Sequence, residues 1–157
     1  MGAVTFSLLE SVTQAIQRIG LECVVIGNSA SALQGAPVTT LDVDFLFRNI
    51  PQNIQKLKRL AKSLKGHLTQ PFEPVSDLWR LVTDEVSLDF MSRMDGIRSF
   101  ESLRSRAQSM KVGTAHIWVA SLEDVIKSKK IANRDKDKAT LPILEKSLAV
   151  KKALKKA

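Results

Sequence analysis

Tyrosine is absent from this chain, and aromatics of every kind make up only 5% of its 157 residues. Proteins that grip single-stranded nucleic acid by stacking its bases depend on aromatic platforms, so that mode is disfavoured. Cysteine occurs once, at Cys23. An internal disulfide and a cysteine metal cluster are thereby excluded. Cys23 sits beside Val24, Val25 and Ile26 and reads as a small core residue. No apolar run approaches the ~20 residues that span a bilayer. The N-terminus has neither the basic start nor the apolar core of a secretory leader. A soluble, cytoplasmic protein is expected.

Histidine is also scarce. His67 and His116 lie far apart with no partner at ligand spacing, which argues against zinc. Ser29 lacks a His–Asp set at a supporting spacing, which argues against a serine hydrolase. Trp79 and Trp118 fall in predicted strands and read as core or sheet-face residues.

What is present is an ordinary globular composition, 44% apolar and 25% charged, in a chain long enough for one domain with a real core. The formal net charge is +8. Such a surface attracts phosphate-rich partners such as nucleotides or RNA. Much of the excess is C-terminal, including Lys151, Lys152, Lys155 and Lys156. At a helix C-terminus the same lysines complement the helix dipole.

Periodicity predicts an opening amphipathic helix through Phe6, Leu9, Val12, Ile16 and Ile19, ended by Gly20. A short buried strand follows over Glu22–Ile26. Ser29 is expected to cap a short helix reaching about Gln34, broken by Gly35-Ala36-Pro37. Asp42–Phe47 reads as a second strand of undecided direction. Pro51 opens a helix with an apolar stripe at Ile54, Leu57, Leu60, Ala61 and Leu64. Its lysines and arginine form a solvated face and a weak RNA-contact candidate. Residues 66–77 read as loop, and 78–82 and 86–91 as a hairpin turning at Thr83-Asp84-Glu85. Residues 97–108 read as weakly helical and basic, and 115–119 as a strand. Ser121-Leu122-Glu123-Asp124 resembles a capping box opening a helix with Leu122, Val125, Ile126 and Ile131 inside. A last helix begins near Asp135, with Leu141, Ile143, Leu144, Leu148 and Val150 as its apolar positions and Pro142 as a kink or restart. The expected fold is a mixed α/β sheet flanked by helices. Its core is expected over residues 1–120, and a helical C-terminal cap over 121–157 packs on it as one compact unit.

The chemistry concentrates in two places. Asp42 and Asp44 stand two residues apart inside an apolar run, which on a strand puts both on one face. Two carboxylates so placed repel each other, and a hard divalent cation between them removes the repulsion. Upstream, Gly27-Asn28-Ser29 is a small-residue turn where backbone N–H groups can hold a phosphate. Asp89 lies between apolar residues on another predicted strand. If the two strands are neighbours, three carboxylates converge and can hold two metals ~3.5–4 Å apart.

Gly27-Asn28-Ser29, Asp42-Val43-Asp44 and Asp89, in that order, resemble the nucleotidyltransferase superfamily with its DNA polymerase β-like fold, which includes the tRNA nucleotidyltransferases. Ile26–Ala30 with Gly35–Asp44, and Ser121–Lys129 with Arg134-Asp135-Lys136-Asp137, look like minimal nucleotidyltransferases of the abortive-infection toxin type. The resemblance spans roughly residues 20–147. Two positions depart from it. Asn28 stands where the family has a smaller residue, and Val38 where these toxins carry arginine.

The resemblance implies Mg²⁺- or Mn²⁺-dependent transfer of a nucleoside monophosphate from an NTP, ATP being one, to a hydroxyl acceptor. Asp42 and Asp44 would hold metal, with Asp89 completing the site and helping to activate the acceptor. Gly27, Asn28 and Ser29 would hold the triphosphate, assisted by Lys129 and Arg134. Asp124 and Asp137 would cap helices or pair with those cations. The acceptor could be RNA such as a tRNA 3′ end, a protein hydroxyl or an aminoglycoside. Two rival readings are a catalytically weak nucleotide- or RNA-binding member, and a toxin–antitoxin partner acting through its C-terminal helices.

Overall fold

The computed structural model describes residues 4–38, 42–70 and 78–156. The opening helix α1 (Phe6–Ile19) starts where Thr5 Oγ1 accepts the Leu8 N–H at 3.2 Å and ends at Gly20, whose φ is 77°. Strand β1 (Cys23–Ile26) is buried at every position. Such a strand is covered on both faces, which is why it reads as a continuous apolar run. Burial also pushes the Cys23 thiol up from its ordinary value, consistent with a core role.

Helix α2 (Gly27–Leu33) begins directly on β1. The expected cap at Ser29 is corrected: the N-cap is Ile26 with no side-chain bond, and Ser29 lies inside the helix. Its hydroxyl donates to the Asp42 carbonyl at 2.9 Å, so it holds the next strand instead of its own helix end. Residues 39–41, part of the motif leading to Asp42, lie outside the described residues.

Strand β2 (Asp42–Phe47) and helix α3 (Pro51–Ser63) match expectation. The segment read as loop contains β3 (His67–Thr69), while residues 71–77 lie outside the description. At three residues, β3 is too short to show a period. The hairpin is present as β4 (Trp79–Val82) and β5 (Ser87–Met91). Thr83 Oγ1 accepts the N–H groups of Glu85 and Val86, which fixes the turn.

The region read as weakly helical, 97–108, holds α4 (Phe100–Arg106), and the strand β6 (Gln108–Val112), which was not expected, follows it. β6 pairs with β7 (Ala115–Val119) as a hairpin. β6 lies at the sheet edge with mostly exposed side chains, so its apolar signal was weak. Helix α5 (Leu122–Ala132) is capped by Ser121, whose Oγ accepts the Asp124 N–H at 3.1 Å. Helix α6 (Asp135–Lys156) continues through Pro142 as one span. Ile131, expected inside, is exposed and reaches toward Gly96. On α6 Leu144 is fully buried, whereas Ile143 and Val150 are exposed, because packing against α5 covers only one side of it. No helix among the described residues is long and apolar enough to cross a membrane.

The strands form one mixed sheet in the order β3-β4-β5-β2-β1-β7-β6. β2 runs antiparallel to β1 and parallel to β5. α1 packs on β7 and α3, while α2 packs on α5 and α5 on α6. Beneath the central strands, Phe45 stacks on Phe90 at 4.7 Å, and Phe47 meets Phe90 edge-on at 6.4 Å. Phe90→Ala should therefore cost about 3–5 kcal/mol, whereas Ile131→Ser should stay within about 0.5 kcal/mol. Urea unfolding of both variants checks this contrast.

Candidate active site

The register of β2 and β5 brings the aspartates together. Asp44 is paired with Asp89 across the parallel ladder, and Asp42 with Ser87. Paired residues share a face, and so do residues two apart on one strand. All three carboxylates therefore lie on one face of the sheet. Like charges directly opposite each other are unfavourable. The Asp44 carboxyl is accordingly pushed up to about 6, by burial first, then by the charges of Asp89 and Asp42; Lys136 and Lys129 oppose them.

Gly27 makes room for this cluster. It has φ of +63°, and a Cβ there would lie 3.3 Å from Asp44 Oδ2. Glycine meets both demands, the left-handed backbone and the close approach. Asn28 lines the same cleft, and its Oδ1 has no hydrogen-bond partner. An enclosed amide oxygen without a donor carries a cost that a ligand can remove. Ser29 does not line the cleft. Its hydroxyl donates to the Asp42 carbonyl at 2.9 Å and so supports the carboxylate strand. Val38 packs against the hydrophobic core.

Beyond Lys129 and Arg134, three further cations line the site: Arg80, Arg93 and Lys136. Arg80 on β4 is opposite Asp89. Its guanidinium forks onto the carboxylate, Nε to Oδ1 at 2.8 Å and Nη2 to Oδ2 at 3.3 Å. The signal was available: counting pairs outward from the Asp84-Glu85 turn brings Arg80 to Asp89. Lys136, at the start of α6, also lines the cleft.

Lys129 and Arg134 both line the cleft, and both meet Asp137. Asp137 is fully buried. Arg134 donates to it from Nε at 2.7 Å, from Nη2 at 3.3 Å and from its backbone N–H at 3.2 Å. Lys129 Nζ reaches Oδ1 at 3.4 Å. Burial works to raise the Asp137 carboxyl, but Arg134 and Lys129 hold it below the usual carboxylate range. Asp124 pairs instead with Arg106, Nε to Oδ2 at 2.8 Å, tying α5 to α4.

The result is a cleft of about 670 Å³. Its floor carries the three aspartates, and one wall carries Lys129, Arg134 and Lys136. The donors are hard oxygens and suit magnesium or manganese. As they stand, however, no three His, Cys, Asp or Glu side chains among the described residues are grouped to hold one metal ion.

Asp44 sets a pH test. Its folded value of about 6 lies above the ordinary 3.8, so ionising it opposes folding. Below about pH 4 the group is neutral folded or unfolded, and the cost is absent; above about 6 it is fully present. Asp44→Asn should stabilise the metal-free protein by about 1–3 kcal/mol at pH 7.5, and the gain should vanish near pH 4. Denaturant titrations in chelator at the two pH values check the sign. Asp137→Asn, which leaves Lys129 enclosed without its counter-charge, should cost about 3–5 kcal/mol by the same titration at pH 7.5.

The architecture resembles that of several solved structures. The chain superposes on ANT(2″)-Ia in complex with adenylyl-2″-tobramycin with a TM-score of 0.65 at 15% identity, covering 94% of this chain and 91% of that one. The lincosamide antibiotic adenylyltransferase LnuA, lincomycin-bound, gives 0.67 at 14% identity, covering 92% and 98%. The putative nucleotidyltransferase TM1012 from Thermotoga maritima gives 0.55 at 19% identity, covering 96% and 92%. No curated protein matches the chain in sequence. These likenesses establish a nucleotidyltransferase-like fold, and over residues 5–156 the chain matches, and so belongs to, the family described as "nucleotidyl transferase of unknown function (DUF2204)".

Proposed function

We propose that this protein transfers a nucleoside monophosphate from an NTP to a hydroxyl acceptor in a metal-dependent reaction. The observation that carries the proposal is the pairing of Asp44 with Asp89 on adjacent parallel strands, with Asp42 on the same face. No purely structural demand favours three carboxylates there, since their mutual repulsion opposes folding.

Asp42, Asp44 and Asp89 are the residues to hold Mg²⁺ or Mn²⁺. When bound, such a cation lowers the pKa of the attacking hydroxyl and neutralises the departing pyrophosphate. The triphosphate runs along the wall of Lys129, Arg134 and Lys136, with Gly27 and Asn28 at its other side. Lysine meets phosphate as a point charge and arginine as a planar fork. The acceptor oxygen forms a bond to the α-phosphorus, the α–β bridging bond breaks, and pyrophosphate leaves. Asp89 takes the hydroxyl proton or passes it to water.

The acceptor has two supported readings. The net charge of +8 and the exposed cations of α3 favour RNA, in line with the toxin-type resemblance. The likeness to two proteins whose names concern antibiotic adenylylation favours a small polyhydroxyl molecule. An inactive nucleotide-binding member remains the rival from outside enzymology, favoured by Asn28 in place of a smaller residue.

Label transfer separates them. Each α-labelled NTP is incubated with Mg²⁺ and either total tRNA or an aminoglycoside and lincosamide panel, beside the double variant Asp42→Asn/Asp44→Asn. Wild type should label one acceptor class, and the double variant should lose at least about 10³-fold in rate, as removal of a principal charge-stabilising group does. Nucleotide binding without label in any arm would move the assignment to the binding reading.

A further inference from the structure

Resting on the metal-dependent reading above, we propose that Arg80 is a latch on the carboxylate site. In the free protein its guanidinium occupies both oxygens of Asp89 and leaves the site one carboxylate short. Metal and nucleotide are thereby made to bind together.

Three observations converge on it. First, Asp42, Asp44 and Asp89 share a face, yet they are not grouped to hold a metal ion as they stand. The partner that distinguishes Asp89 from Asp44 is Arg80. Second, the two ends of the ion pair differ in freedom. The Asp89 side chain is 12% exposed and the Arg80 side chain 38%. Asp89 is fixed in the strand, whereas the long arginine stem can turn toward solvent. Third, Arg80 itself lines the cleft. A guanidinium binds phosphate and carboxylate with the same fork. Triphosphate oxygens arriving in the cleft can therefore exchange for the Asp89 oxygens, and Asp89 is then free to face Asp44.

Arg80 acts in this account through Asp89, as a positioning residue. The free protein binds a divalent cation weakly through Asp42 and Asp44. Nucleotide strengthens that binding, and by reciprocity the cation strengthens nucleotide binding. Arginine at position 80 thus discourages the site from filling before substrate is present.

The test is a Mn²⁺ titration of the purified protein without nucleotide, with free Mn²⁺ read by electron paramagnetic resonance. Arg80→Met removes the latch, and Arg80→Lys keeps the charge but not the fork. Lys136→Met removes a different positive charge from the same cleft. Partners of metal ligands act on metal affinity on a scale of about 10–100-fold, ordinarily by supporting the ligand; Arg80 instead competes for both Asp89 oxygens, so Arg80→Met should bind Mn²⁺ about tenfold tighter than wild type. Arg80→Lys should gain part of that increase, and Lys136→Met should gain less than either. Adding Asp89→Asn to Arg80→Met should abolish the gain. If Arg80→Met fails to fold, Arg80→Lys carries the comparison, with the Mn²⁺-induced rise in Tm as its readout. Unchanged or weaker Mn²⁺ binding in the Arg80 variants overturns the latch. So does a gain that Lys136→Met reproduces in full, because the effect is then plain loss of positive charge. A wild type that transfers nucleotide while its Arg80 variants bind Mn²⁺ no tighter overturns the latch alone. An Asp42→Asn/Asp44→Asn protein that transfers as well as wild type overturns the transferase reading and the latch with it.

Discussion

Two carboxylates facing each other on neighbouring strands, Asp44 and Asp89, are the constraint around which this molecule is arranged. Their repulsion has to be balanced within a few ångströms, because Asp89 is buried and Asp44 half-buried on strands whose other face is apolar core. Arg80 supplies charge from the adjoining strand. Lys129 and Lys136 supply it from the helical side, where both act on Asp44. Gly27 contributes by omission, leaving the space that a side chain would take from the Asp44 carboxylate. The apolar layer contributes rigidity. Phe45 and Phe90 alternate with the aspartates along the same two strands and stack on the opposite face. One alternation therefore builds the core and the site at once.

The C-terminal helices serve this arrangement through a second buried carboxylate of opposite role. Asp137 gathers Lys129 and Arg134, where Asp44 repels its neighbours. Fully enclosed and multiply bonded, Asp137 fixes where α5 ends and α6 begins. A buried ion pair of this kind is weak evidence of added stability, since desolvation offsets most of the attraction. Its value lies in position: it aims two cations at a cleft whose floor is anionic. The wall and the floor are thus each organised around an aspartate.

The legible part of the fold was the part whose physics is local. α1 announced itself by period and by Gly20, α5 by Ser121, and the β4–β5 hairpin by its polar turn. The candidate aspartates were legible because charged residues inside apolar strands are conspicuous. What escaped was non-local or weakly patterned. β3 is three residues long, and β6 is an exposed edge strand, so neither carries a strong apolar alternation. Ser29 carries a capping residue's chemistry but spends it on a carbonyl thirteen positions away, which no local rule foresees. Arg80 is conspicuous only through the hairpin register that sets it opposite Asp89. The hairpin register that pairs them follows from the turn already identified.

Val38 stands where the toxin-type resemblance would imply an arginine, and the positive charge at the cleft comes from other elements. Val38 packs on the hydrophobic core, so the chain there cannot deliver a cation to the cleft. Yet the cleft is not poor in positive charge, because Arg80, Lys129, Arg134 and Lys136 all line it. They come from β4, beside Asp89 in the same hairpin, and from α5 and the junction that opens α6, far along the chain from the aspartates. A cation held by a buried carboxylate, as Lys129 is by Asp137, is more firmly placed than one on an exposed turn, since less side-chain freedom remains to be lost on binding. What a phosphate ligand needs from the protein is positive charge at a fixed distance. Here the sheet register and the α5–α6 junction provide it.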